Sequence, residues 1–500
     1  MSRTKVIISG IAWTIIQNAV NILYGLVSVP YLLHYFGKDE YGLIGLALSV
    51  NVYVQLLDMG MTNSNVRFFS EFIAKGDQEK VQRLFRLTNL FYLILGLINS
   101  IVLFGLSFFV EAIFNITPEQ AITLRNLLWI IALNATFSWI SVCYDQFLRA
   151  NELIDWIKRR GTFLKLMQFV VLGITILLHF NIETYFTLYI FVATIILPLT
   201  ILKTKQIMPS LRRGYSYDRE MFHTVFPYAF SLFSFTISHF MAFNFRPLIL
   251  GAISGPAAVA EFNIMNAIAM VVTIIAGSFM QVLLPIVTKM TVKSDDKGIQ
   301  TIMNQGTKYV NILLSATIFL IILPVNEILT VYVGSQYQFL SYWLIIWLLT
   351  LLLSHRNVMT SLVFTETRLR PVAIMGFIAM LLALLCYFVF TPMYGVGGVV
   401  IGFVAHEVTH TLFYYIYFLP KRFHVNTKDV FLKSVLPSWV IMGCITISLV
   451  FLFKYIPLST VTSLMLKDLL LGILSFFVIW LILMDKKEKK VLLSLVGKQS

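Results

Sequence analysis

Residues 371–391 read PVAIMGFIAMLLALLCYFVFT, twenty-one residues without a formal charge. A helix needs roughly 20 mostly apolar residues to cross the hydrocarbon core of a bilayer, and a barrel strand only about half as many. Working outward from this stretch, similar runs recur along the whole chain. They are 9–33, 42–66, 88–112, 122–147, 161–180, 184–203, 223–252 and 258–286, then 308–331, 338–362, 371–391, 395–420, 434–454 and 462–484. No gap between them is long enough for an independent soluble domain. Lipid admits only helices or closed barrels as spanning structures. The reading is therefore all-α: a polytopic membrane protein with about fourteen transmembrane helices.

Composition agrees. The chain is 58% hydrophobic and 12% charged, with a mean hydropathy of +0.83. Soluble chains carry about a quarter charged residues, so this surplus needs lipid as solvent. The net charge of +14 would suggest nucleic acid in a soluble protein. Here its placement gives another reason. With the N-terminus inside, 33 of the 38 Lys and Arg fall in cytoplasmic segments, leaving Lys38, Arg125, Arg246, Lys454 and Lys467. Cytoplasmic loops collect Lys and Arg. Both termini are then expected in the cytoplasm, with an even number of spans and no nucleic-acid partner. Cys143, Cys386 and Cys444 all lie within spans, so neither a disulfide framework nor a metal site is expected. The basic N-terminus reads as an uncleaved first helix, since no small-residue cleavage site ends its long apolar run.

A weak repeat appears at an offset of 217 residues: Pro30 matches Pro247, and Gly60 matches Gly277. Basic segments follow both helix pairs. The expected division is an N-terminal lobe over 1–213, a C-terminal lobe over 214–425, and two further helices with a basic tail over 426–500. Transporters often carry such repeats, with the site between the halves.

Polar residues at helical spacing mark several spans. The first has Gln17, Asn21, Tyr24 and Ser28. The second has Asn51, Gln55, Asp58, Thr62 and Asn65, and the fourth Asn134, Ser138, Ser141, Asp145 and Arg149. Spans seven and eight add Thr236, His239, Phe243 and Arg246, then Asn263, Asn266, Thr273, Gly277 and Gln281. Such stripes can glue helices together, or they can line a shared water-filled cavity. Their concentration in these five spans favours the cavity. Charge within a membrane costs about 2.5–3.5 kcal/mol on the insertion scale and needs a partner or a task. Arg246 is the first candidate to clamp an anionic substrate, since guanidinium forks phosphate oxygens. Its alternatives are an ion pair with Glu261 or snorkelling. Arg67 and Arg149, near helix ends, either bind substrate or snorkel, and Asp145 and Arg149 are spaced to pair locally. Arg356, beside His355, is a further substrate candidate, and His239 is either a cavity residue or a structural one. The acids Asp58, Asp145, Glu261 and Glu407 are candidates for coupling transport to protons or sodium. Glu407 lies between His406 and His410, with no third metal ligand at suitable spacing; a polar packing cluster is the simpler account.

The chain carries no phosphate loop, dinucleotide fingerprint or acidic glycosyltransferase cluster. No cofactor is expected, and a transporter fits better than an enzyme. The stretch GIAWTIIQNAVNILYGLVSVPYLLHYFGKDEYGLIGLALSV holds Pro30-Tyr31, Phe36-Gly37 and Glu40-Tyr41-Gly42. LLDMGMTNSNVRFFSEFIAKGD holds Asp58, Gly60 and Arg67. On these residues the chain resembles the bacterial O-antigen and capsule repeat-unit flippases, of the superfamily that also holds the lipid II flippase and the multidrug and toxin extrusion transporters. The resemblance covers nearly the whole chain. It implies two six-helix lobes around a central cavity, two extra C-terminal helices, and rocking between inward and outward openings. The implied substrate is an undecaprenyl-pyrophosphate-linked oligosaccharide, held in a cationic cavity to which Arg67, Arg149 and Arg246 would contribute. In some relatives the last two helices form a groove for the lipid tail. A bacterial inner-membrane location, a monomeric state and association with polysaccharide polymerase machinery follow as expectations. The rival is a multidrug or metabolite efflux antiporter of the same fold, which would favour an aromatic, acidic cavity.

Overall fold

The first helix, α1 (Arg3–Val54), runs for 52 residues. At 1.5 Å per residue that is about 78 Å, more than twice the roughly 30 Å of hydrocarbon, so it cannot be one straight span. Gly37 divides it. Its φ of 82° and ψ of 173° lie outside the helical region, in a conformation that glycine adopts without a Cβ penalty. Next to the bend, Lys38 Nζ donates to Glu261 Oε1 at 2.6 Å. The computed structural model describes residues 3–211, 214–292, 296–363, 370–453, 460–479 and 481. Side chains at 3–8, 11, 231, 232, 234–236, 239, 278–286, 288, 289 and 292 are not included.

After α1 come a 3₁₀ turn (Gln55–Asp58), α2 (Met61–Ala74), α3 (Gln78–Leu106) and the short α4 (Val110–Ile113). Then follow α5 (Pro118–Ala150), α6 (Ile154–Leu177), α7 (Ile182–Thr194), α8 (Ile196–Ile207), α9 (Arg219–Ile253) and α10 (Pro256–Val292). Helix starts carry their expected signals. Thr117 and Gln120 form a reciprocal cap around Pro118, and Asp77, Asn181 and Asp218 each accept from a backbone N–H of the first turn. Asp218 also takes Arg83 through two bonds, of 2.5 and 3.1 Å. The arginine, helped by the Met221 N–H, holds the Asp218 carboxyl below the usual carboxylate range.

The second part of the chain is equally helical. It comprises α11 (Asp296–Ile322), α12 (Val325–Val333), α13 (Ser341–Leu351), α14 (Asn357–Val363), α15 (Arg370–Tyr394) and α16 (Val396–Phe413). Last come α17 (Leu419–Phe423), α18 (Thr427–Val430), α19 (Leu436–Phe453) and α20 (Thr460–Val478). Among the described residues there is no β-strand. Twelve stretches are long and apolar enough to cross a membrane, and one of them, Ala12–Asp58, holds both arms of α1. With the arms counted apart, and with α9 at 35 residues, each of the fourteen expected spans falls on helix among the described residues, the second with a break.

The chain forms two compact units. One is Met1–Ala267 with Tyr387–Val399; the other is Ile268–Cys386 with Val400–Ser500. The first has an aromatic core in which Phe69, Phe85, Tyr144 and Phe147 meet edge to face. Here α3 and α5 approach closely at Gly96, where a Cβ would stand 2.7 Å from the Thr136 Cα. One turn on, Ser100 Oγ donates to the Ala132 carbonyl at 2.7 Å. In the second unit, Asn311 of α11 donates to the Val435 carbonyl at 2.9 Å and accepts from Trp439 Nε1 at 2.8 Å. Glu327 of α12 accepts from Ser463 and Lys467 of α20.

The repeat pair Gly60 and Gly277 does not share a backbone state. Gly60 has φ +76° and breaks a helix, whereas Gly277 lies inside α10. A Leu at Gly96 must push α3 off α5. Overpacking of this kind costs about 1–3 kcal/mol, so Gly96→Leu is expected to lower the thermal midpoint of the purified protein. A wild-type midpoint would contradict the close approach.

Candidate functional site

The expected second span is interrupted. After the 3₁₀ turn, Met59 and Gly60 are both left-handed, with φ of 46° and 76°, and α2 begins at Met61. Gly60 is required twice over: for its φ, and because a Cβ would run into the Ala229 carbonyl of α9. Met59 adopts the same region without being glycine, a conformation that costs about 1–2 kcal/mol and that collects at functional sites.

Asp58 closes the gap. Its carboxylate accepts the Thr62 N–H at 3.1 Å and the Thr62 hydroxyl at 3.0 Å, which caps the first turn of α2. It also accepts the Tyr92 hydroxyl at 2.6 Å. Behind it the bonding continues. Gln146 Nε2 donates to Tyr92 Oη at 2.6 Å and to Thr62 Oγ1 at 3.1 Å, and Gln146 Oε1 accepts from Asn65 at 3.0 Å. Tyr92, Gln146 and Asn65 are buried.

A cavity of about 460 Å³ opens beside this break. Asn51, Gln55, Asp58 and Thr62 form one wall; Asn99 of α3 and Asn134, Ser138 and Trp139 of α5 form others. Asn99 donates to Asn51 Oδ1 at 3.4 Å, and Thr194 donates to Asn134 Oδ1 at 2.5 Å. The stripes of spans two and four thus meet in one place, with Asn65 turned away into the Gln146 network. Sequence reasoning missed Tyr92, Asn99, Trp139 and Gln146. Asn89, Tyr92, Gly96 and Asn99 follow helical steps of three, four and three, a signal in a span read as apolar.

Other candidates lie elsewhere. Asp145 does not pair with Arg149. Arg160 of α6 forks it at 2.6 and 2.7 Å, while Arg149 sits exposed in the last turn of α5. The parallel two-point geometry available to Arg160 is the stronger arrangement. Nor does Arg246 pair with Glu261, which Lys38 holds. Arg246 is buried on α9, its Nε donating to the Phe243 carbonyl at 2.8 Å and its guanidinium 5.1 and 5.3 Å from the Phe243 and Phe262 ring centres. Arg67 is exposed and lies 4.2 Å from the Tyr228 ring centre. Asn21 and Asn266 are half-buried on α1 and α10. The His239, Thr236 and Gln281 side chains fall outside the described residues. Arg356 and Glu407 are buried together and joined at 2.5 and 2.8 Å, with His406 Nδ1 3.1 Å from the same carboxylate. Lys165 of α6, a further cation in a span, lies 4.5 Å from the Tyr24 ring centre.

Tyr92 is the hinge of the polar network. Tyr92→Phe removes a donor to a carboxylate and an acceptor for a buried amide. The expected loss is about 1–3 kcal/mol of unfolding free energy, measurable by denaturation in detergent. A neutral substitution would mean that the network is not formed.

The geometry can be set beside known proteins. No curated protein matches the chain significantly by sequence. The lipid II flippase MurJ, in an inward closed conformation, is similar in structure with a TM-score of 0.72 at 15% identity, covering 94% of this chain and 97% of that one. An inward-facing multidrug resistance MATE transporter of the MOP superfamily gives 0.62 at 15%, covering 86% and 95%. A MOP superfamily transporter from Pyrococcus furiosus, noted for the reverse polarity of its binding pocket, gives 0.55 at 14%, covering 85% and 96%. These likenesses establish the fold. Residues 7–291, more than half of the chain, match the family of polysaccharide biosynthesis proteins. That match places the chain in the polysaccharide biosynthesis protein family, and its multi-pass helical fold is of the kind seen in these structures.

Proposed function

We propose that this protein is a flippase. It carries oligosaccharide repeat units, linked through pyrophosphate to undecaprenol, across the bacterial inner membrane for O-antigen or capsule assembly. The cavity beside Asp58, in a chain of this family, carries the reading. Amide and hydroxyl groups on its walls both donate and accept, as sugar hydroxyls do. Asn99 Oδ1 is buried without a hydrogen-bond partner, an acceptor suited to such a hydroxyl, and Trp139 offers a flat apolar face. The volume suits part of an oligosaccharide, with the polyprenyl chain left in lipid. A fold like that of a protein named a lipid II flippase agrees with this substrate class. The division into 1–213, 214–425 and 426–500, alternating access between the two repeat-related halves, and cytoplasmic termini belong to the same proposal.

Arg246, with Arg67 and Arg149, is proposed to meet the pyrophosphate. Arg356, tied at two points to Glu407, is not. Among the four acids considered for coupling, Asp145, Glu261 and Glu407 are each held by a base. Asp58 lines the cavity and is the one proposed to take a proton or sodium ion.

Removing the gene is expected to cause accumulation of one undecaprenyl-pyrophosphate oligosaccharide and loss of the surface polymer, read by mass spectrometry of polyprenyl-linked glycans. An unchanged lipid pool with increased drug sensitivity would instead make the protein an efflux antiporter. Arg246→Ala should abolish export at a normal protein level; normal export would remove the clamp. In proteoliposomes, flipping by Asp58→Asn should lose its stimulation by an imposed proton or sodium gradient. Full stimulation of that variant would exclude Asp58 from coupling.

A further inference from the structure

Three departures from α-helical geometry meet in the second unit. One is the 3₁₀ turn Leu352–Arg356 between α13 and α14. The others are π-helical turns, Tyr414–Phe418 after α16 and Phe431–Val435 before α19. Such turns occur mostly singly and often at functional sites. Each contributes a ring to one aromatic box. His355 meets Tyr415 at 5.9 Å, Tyr415 meets Phe431 at 6.1 Å, Phe431 meets Trp439 at 6.1 Å, and Trp439 returns to His355 at 5.9 Å. Successive planes are inclined by 68–90°.

The box borders an open groove of about 280 Å³, continued along α16 by Leu412 and Val408. From Tyr415 to Val408 is about 10 Å along a helix axis. The polar atoms of the box are all taken up, with the Trp439 N–H given to Asn311. His355 Nδ1 lies 2.8 Å from the Leu352 carbonyl, which can only accept, so Nδ1 carries the proton. In the neutral ring Nε2 then accepts the Tyr415 hydroxyl at 2.8 Å. Apart from Thr411, whose hydroxyl is buried, what remains toward the groove is hydrocarbon, and Val408, Leu412 and Phe431 are exposed beside it.

The chain reverses just beyond, and that hairpin is basic. Lys421, Arg422, Lys428 and Lys433 fall within thirteen residues that contain one acid, Asp429. Among the described residues only Lys433 of the four pairs with it, at 3.0 Å. The hairpin joins the π-helical turn that holds Tyr415 to the one that holds Phe431, and within it Lys421 lies over Tyr417, 4.9 Å from the ring centre. An aromatic box can hold an ammonium group, but this setting has the wrong sign for one.

We infer that this groove and hairpin bind one anionic phospholipid, its acyl chain along α16 against the aromatic box and its phosphate among Lys421, Arg422 and Lys428. Basic pockets between helices at a membrane face take anionic headgroups. No residue of α20 lines the groove, so it is distinct from a tail groove between the last two helices.

Native mass spectrometry of the detergent-purified full chain, with phosphatidylglycerol or phosphatidylethanolamine added, tests this. The wild-type protein should retain one phosphatidylglycerol in preference to phosphatidylethanolamine. Each interfacial cation strengthens attraction to anionic lipid about fivefold, so the triple variant Lys421→Gln, Arg422→Gln, Lys428→Gln should lose that preference by more than about tenfold. Val408→Trp, which fills the groove but leaves the hairpin charged, should lose retention of both lipids. Equal retention of the two lipids by the wild type, or wild-type behaviour in both variants, overturns the site. The charge variant alters only the polar hairpin, so it remains informative if the groove variant does not fold.

Discussion

In hydrocarbon a peptide N–H has no water to turn to, and each one left open costs several kcal/mol. The described residues obey that constraint by being helix nearly everywhere. At one departure, Met59 and Gly60, three bonds repair the break. Met59 N–H finds the Leu56 carbonyl at 3.2 Å, Ser64 N–H finds the Gly60 carbonyl at 3.3 Å, and Thr62 N–H finds the Asp58 carboxylate. Asp58 stands in for a carbonyl that the interrupted helix cannot supply. It is thereby a structural cap and a wall of the cavity at once.

The spans were legible because lipid makes hydropathy and length nearly sufficient. The break was not. Asn51, Gln55, Asp58, Thr62 and Asn65 step by four and three as in an unbroken helix, and Gly60 alone hinted otherwise. Gly277, its partner in the repeat, sits in continuous helix, so a glycine in register carries no conformation by itself. The difference is the neighbour: a Cβ at Gly60 meets the Ala229 carbonyl, while one at Gly277 meets nothing within 4 Å.

Ion partners were hidden for a related reason. Spacing along a helix reveals pairs three or four residues apart. The partner of Asp145 is Arg160, that of Glu407 is Arg356, and that of Glu261 is Lys38, 223 positions away. Packing sets these pairs, and geometry decided the first: Arg160 brings both terminal guanidinium nitrogens to Asp145. The cavity stripes were readable because each is local to one span; the buried relay through Tyr92 and Gln146 joins three helices and was not.

The pairing pattern also separates the four acids physically. A cation arriving at Asp145 or Glu407 would have to displace a two-point guanidinium bond, and charge-assisted bonds are roughly twice as strong as neutral ones. Asp58 is held by a backbone amide and two neutral hydroxyls, so a cation there meets a carboxylate without evicting a competing charge. Taking one would draw on oxygens that now bind Thr62 and Tyr92. The Tyr92 hydroxyl in turn anchors Gln146, and Gln146 anchors Asn65. In the proposed cycle, an ion at Asp58 thus weakens the bonds by which α2, α3 and α5 hold one another at the one place where the second span is already broken.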